Sequence, residues 1–147
     1  MNLKQLSARS GFSLVEMMIA IVVAGLMLAI ATPKVRATVI RQEVHAARAA
    51  VANMYARARI HALQSRKPTT VHFNGTQTWV TATDGAVLDT VGAVVDLTSL
   101  YGVSVAASQA QIGFTPTGFT SIGSAKVVVA RSGYRDSVQV TGYGRLK

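Results

Sequence analysis

The chain has 147 residues, half of them hydrophobic and 14% charged, with no cysteine. That length suggests one compact domain at most, and the absent cysteines exclude a disulfide framework and a thiolate metal site. It is too apolar for a disordered chain and too charged, outside one segment, for a multi-span membrane protein.

The net charge of +9 is zoned along the chain. Lys4 and Arg9 precede the first apolar run, and Lys34, Arg36, Arg41, Arg48, Arg57, Arg59, Arg66 and Lys67 follow it with Glu43 as the only acid among them. The middle holds Asp84, Asp89 and Asp96 and no cation, and Lys126, Arg131, Arg135, Arg145 and Lys147 crowd the end, beside Asp136. Basic zones of this kind attract phosphates, of lipid headgroups or of nucleic acid.

Residues 12–32 form an apolar run broken by Ser13, Glu16 and Thr32. As a helix it spans about 30 Å, one bilayer core. A secretory signal peptide would have a shorter apolar region followed by a small-residue cleavage site, and none stands out before Pro33. Glu16 costs on the order of 3 kcal/mol to insert, so either it sits at the headgroup boundary or it needs a partner. A cut after Gly11 would give Phe12 a free α-amine, charged at neutral pH, which this carboxylate could pair with in its own chain or a neighbour's. Pro33 removes the hydrogen bond to the Ala29 carbonyl and loosens the helix there.

Residues 34–66 are alanine-rich, lack glycine and proline, and continue the helix. Ile40, Val44, Ala47, Val51, Met54 and Ala58 make one apolar stripe, and Arg66-Lys67-Pro68 supplies the stop. The two halves together make a helix of about 80 Å, too long for the rest of the chain to cover. Beyond Pro68 the composition turns to Val, Thr, Gly and aromatics. Asn74-Gly75 joins Thr70–Phe73 to Thr78–Thr81, Asp84-Gly85 leads to Val87–Asp89, and Ser132-Gly133 joins Lys126–Ala130 to Ser137–Val140. Such pairs tolerate positive φ and mark hairpins. The expected fold is α+β: a long N-terminal helix, one half membrane-spanning and one half amphipathic, packed on one antiparallel sheet or two small ones.

Gly11-Phe12-Ser13-Leu14-Val15-Glu16, behind a basic leader and ahead of an apolar helix, resembles the prepilin motif of type IV pilins and type II secretion pseudopilins. Pro33 also falls where many pilin helices carry a proline. The resemblance implies a leader at 1–11, a transmembrane and filament-core helix at 12–33, and an amphipathic helix plus β-rich domain at 34–147. It implies a prepilin peptidase that cuts after Gly11 and methylates the Phe12 amine, and assembly with other pilin subunits through Glu16. Charge alone does not orient the span, since cations flank both ends. The resemblance does, because that peptidase works on the cytoplasmic face; it implies a single pass through the bacterial inner membrane and a periplasmic domain.

Phe114-Thr115-Pro116-Thr117-Gly118, a following strand, and the ending Gly142-Tyr143-Gly144-Arg145-Leu146-Lys147 are similar to the GspH/FimT family of minor pilins and pseudopilins, with Lys147 where arginine is more usual. The function this implies is a minor structural subunit of a secretion pseudopilus or a pilus. The alternative is capture of DNA for uptake, since some FimT-like proteins are associated with natural transformation, with Lys126, Arg131, Arg135, Arg145 and Lys147 as contacts.

His45, His61 and His72 come without a metal-ligand spacing, and Asp84, Asp89 and Asp96 do not match a calcium loop. No nucleophile elbow or phosphate loop occurs. The sequence reads as a non-enzyme without cofactor or metal.

Overall fold

The computed structural model describes residues 12–85 and 87–147. Helix α1 runs Leu14–Ser65, and the chain divides into two units at Thr38/Val39. In the first unit every residue from Phe12 to Arg36 is exposed. Pro33 lies inside the helix, and the neighbouring threonines turn back on the backbone. The Thr32 hydroxyl donates to the Leu28 carbonyl at 2.7 Å and the Thr38 hydroxyl to the Lys34 carbonyl at 3.1 Å. Each supplies a carbonyl with a second donor in a stretch where the proline leaves one without its own.

In the second unit α1 is amphipathic. Val44, Ala47, Val51, Met54, Tyr55, Ala58 and Ala62 are buried at spacings of three and four, while Ile40 is half-buried. Arg66 follows in the left-handed region, with φ 56°, and turns the chain toward Pro68.

The strands are β1 (Thr69–Asn74), β2 (Gln77–Asp84), β3 (Val87–Thr90), β4 (Val95–Asp96), β5 (Ser104–Ala107), β6 (Gln111–Phe114), β7 (Ala125–Arg131) and β8 (Tyr134–Val140), with a short helix α2 (Leu97–Tyr101) after β4. They form two antiparallel sheets: one of order β3-β2-β1-β6 with β4 also on β2, the other β5-β7-β8. The expected hairpins all form, and Ser132-Gly133 supplies φ 48° and 86°, both positive as the tight turn between β7 and β8 requires. Asp96 caps α2 by accepting from the Thr98 and Ser99 amides, both at 3.0 Å.

Both sheets and the α1 stripe share one core. Tyr55 sits in it edge-on to Phe73 and Phe114, with centroids 6.0 and 6.4 Å away. The long helix packed on antiparallel sheet is therefore as the sequence leads one to expect.

Candidate functional site

Gly11, the expected cleavage residue, lies outside the described residues. Phe12 is 75% exposed, and Glu16 stands exposed in the first turn of α1. Among the described residues no cation or hydrogen-bond donor meets the Glu16 carboxylate. In a stretch whose other side chains up to Thr32 are uncharged, it is the one anion and has no partner within its own described chain.

The C-terminal cations sort by strand alternation. In β7, Ala125, Val127 and Val129 are buried, so Arg131 shares their inner face and Lys126 takes the outer one. In β8, Val138 and Val140 are buried, which puts Tyr134 and Asp136 inside and Arg135 and Gln139 outside. The tail after β8 turns back along it. Val140 bridges Leu146, the Lys147 and Gln139 backbones exchange two hydrogen bonds at 2.9 and 3.0 Å, and the Thr141 amide donates to the Arg145 carbonyl at 2.9 Å. Leu146, bridged to Val140, shares that residue's face while staying 40% exposed, and alternation puts Arg145 and Lys147 on the other face. Since Lys126 pairs with Gln139 and Gln139 with Lys147, the two lysines lie in one row, two strand spacings or about 10 Å apart. Lys126, Arg135, Arg145 and Lys147 are all exposed, and among the described residues none has a carboxylate partner.

Arg131 goes elsewhere. Its guanidinium pairs with the Glu43 carboxylate on α1 and donates to the Tyr101 carbonyl at 2.8 Å. Arg131 and Arg135, both among the expected DNA contacts, thus point to opposite faces of the hairpin. Its inner face meets α1 through further polar contacts. His45 Nδ1 lies 2.9 Å from Asp136, Arg48 Nε donates to the Ser137 carbonyl at 3.1 Å, and the Arg41 guanidinium lies 4.8 Å from the Tyr134 ring centre. Glu43, as the sole acid among eight cations, is the sequence signal for this clamp. His72, on β1, stacks on Trp79 at 5.1 Å and bonds the Thr81 hydroxyl at 2.7 Å; burial lowers its pKa and favours the neutral ring.

The two C-terminal motifs meet. The Arg59 side chain donates through Nε to the Gly118 carbonyl at 3.1 Å. A Cβ on Gly144 would stand 2.3 Å from that same carbonyl oxygen and 3.0 Å from Arg59 Nε. Gly144, at φ 69°, therefore serves close packing between tail and loop. Phe119 and Tyr143 flank the joint as an edge-on pair at 6.2 Å. The tail that carries Arg145 and Lys147 is held by backbone pairing and by this contact.

Comparison with known proteins agrees with the geometry. The model of the prokaryotic N-terminal methylation motif matches residues 6–32, and that of the type II transport protein GspH matches residues 47–144. No curated protein matches the chain significantly. Among solved structures, the type IV minor pilin FimU of Pseudomonas aeruginosa is similar at 14% identity and TM-score 0.62, over 73% of this chain and 88% of that one. The minor pseudopilin EpsH from the type 2 secretion system of Vibrio cholerae is similar at 10% identity and TM-score 0.60, over 71% and 94%. At such identities the likeness is one of fold.

Proposed function

The chain belongs to the GspH family of minor pilins and pseudopilins, and on that premise we propose that its mature form is a filament subunit of a type II secretion pseudopilus or a type IV pilus. In this reading a prepilin peptidase removes residues 1–11 and methylates Phe12. Residues 12–33 anchor the subunit in the inner membrane before they enter the filament core, and residues 34–147 lie in the periplasm. One observation carries it: the segment from Phe12 to Arg36 buries nothing, while the unit from Val39 onward covers its own apolar stripe. An apolar helix that the described residues leave bare needs a lipid or another helix as surroundings. Glu16 then pairs with the Phe12 amine of a neighbouring subunit, where low dielectric strengthens the attraction.

The test has two arms. Mass spectrometry of membrane material should find the chain beginning at N-methylated Phe12; intact Met1 in cells with active peptidase would refute the processing. Glu16→Ala should still be cleaved and should insert as well or better, since a charge is removed from the end of the span. Its recovery in sheared filaments should drop; undiminished recovery would refute the pairing.

A second reading, DNA capture, draws support from the four exposed cations on the outer face of β7, β8 and the tail. Such contacts read phosphate and not sequence, so log affinity should fall by about 0.9 per contact for each decade of salt. In polarisation titrations on duplex DNA, Arg145→Gln with Lys147→Gln should flatten that slope by up to about two units. Arg131→Gln should leave it unchanged, because Arg131 is held on the inner face. Absence of binding at low salt would leave the scaffold alone.

A further inference from the structure

We propose that Lys34 and Arg36 form a collar for the headgroups of anionic phospholipids at the C-terminal end of the membrane span, an inference that rests on the membrane-anchor reading above. Among the described residues before Lys34, Glu16 is the only charge, and the stretch between them is long and apolar enough to cross a bilayer. The rise from Glu16 to Lys34 is about 27 Å, close to one hydrocarbon core. With Glu16 at one boundary, Lys34 and Arg36 fall at the other, where headgroup phosphates lie.

The side chains suit that place. Both cations are exposed, and among the described residues neither has a carboxylate partner. The next acid along the chain, Glu43, is taken by Arg131. Long aliphatic stems let Lys and Arg stay against the apolar segment while the charge reaches the interface. Val35, between them, is 60% exposed and adds apolar surface at the same level.

The arrangement around the axis selects lipid over a protein partner. Two residues apart on a helix is about 200°, so Lys34 and Arg36 point to opposite sides. A protein docked along one face would meet one of them and leave the other. A leaflet surrounds the helix and offers phosphates on both sides. The pairing also offsets a cost, because cations at this end oppose the orientation with the leader inside.

The test uses the full chain inserted into mixed phosphatidylcholine–phosphatidylglycerol vesicles. Flotation measures insertion, and native mass spectrometry after gentle extraction measures the lipids that stay bound. The parent chain should retain phosphatidylglycerol above its bulk share by about fivefold per cation. Lys34→Gln with Arg36→Gln should float equally well and retain lipid at the bulk ratio, whereas Lys34→Arg with Arg36→Lys should keep the enrichment. Retention at the bulk ratio by the parent, or enrichment that survives the glutamine pair, would overturn the collar and leave the anchor standing. Failure of the parent chain to float would overturn the anchor and the collar with it.

Discussion

From Leu14 to Arg36, α1 exposes apolar side chains on all sides, whereas from Val39 to Ser65 it buries one narrow stripe and keeps its arginines off it. Both halves are one α-helix, interrupted only by the hydrogen bond lost at Pro33, so the difference in exposure lies in the side chains. An all-round apolar surface such as Leu14, Met17, Met18 and Ile19 has no polar side for water. It suits an environment that is apolar on every side. The later stripe is built from Val, Ala and Tyr, small enough at Ala47, Ala58 and Ala62 for sheets to approach closely, and it is covered by both sheets.

The comparison teaches which half makes the fold. The first half contributes nothing to the core from Phe12 to Arg36, while the second contributes seven of its buried residues. A chain beginning at Lys34 should therefore be monomeric and folded by circular dichroism and gel filtration. A chain beginning after Pro68 should lose the fold and aggregate, because Val71, Ile112, Val127 and Val140 would face water across the whole missing stripe. This is the largest effect expected, and a stable monomer from the shorter chain would break the assignment of roles.

The joint between the two C-terminal motifs gives a second test within the folded unit. Gly144→Ala adds a methyl 2.3 Å from a backbone oxygen at a left-handed φ, and should destabilise the second unit by about 3 kcal/mol in denaturant titration. Gly133→Ala is the control. Its φ of 86° is as unfavourable, but nothing lies within 4 Å, so only the backbone strain of about 1 kcal/mol should appear. Equal losses at the two sites would mean that the contact with Gly118 is not what requires a glycine at 144.

Much of this architecture is legible in the sequence. The hairpins at Asn74-Gly75, Asp84-Gly85 and Ser132-Gly133 are set by local turn chemistry, and β1 and β7 beside two of them alternate. The short elements β4, β5 and β6 are not legible there, because two to four residues carry too little period and their pairing comes from distant partners such as β1 and β7. Helix α2 has both its signals, Asp96 before and Gly102 after, but only five residues between them. At the candidate DNA surface the alternation Val127, Val129, Arg131 places Arg131 on the inner face, whereas charge count alone groups it with the outer four. The fold-back of the tail onto β8 has no local signal, since one bridge at Val140 and Leu146 leaves no repeat to read. A stripe counted through Val51, Met54 and Ala58 passes over Tyr55, although it stands four residues after Val51.

Tyr55 also gives the finest test of the buried half. Its ring is enclosed, its hydroxyl is buried without a hydrogen-bond partner among the described residues, and burial raises its pKa. The ring should account for most of its worth, so Tyr55→Ala should cost about 4 kcal/mol. The hydroxyl should be a liability, since it leaves water and gains no bond, and Tyr55→Phe should raise stability by about 1 kcal/mol with no change in denaturant slope. The pH dependence has a definite sign. The unfolded chain ionises Tyr55 near its ordinary value of 10.0, while the folded chain holds the proton to higher pH. The stability that this group contributes is therefore full below about 10 and falls as the pH rises beyond it. The difference between parent and Tyr55→Phe should be flat from neutral pH to that point and then grow in favour of phenylalanine, while other groups titrating in the same range cancel in the subtraction. A loss of stability on removing the oxygen at neutral pH would mean that the hydroxyl has a partner in the folded chain.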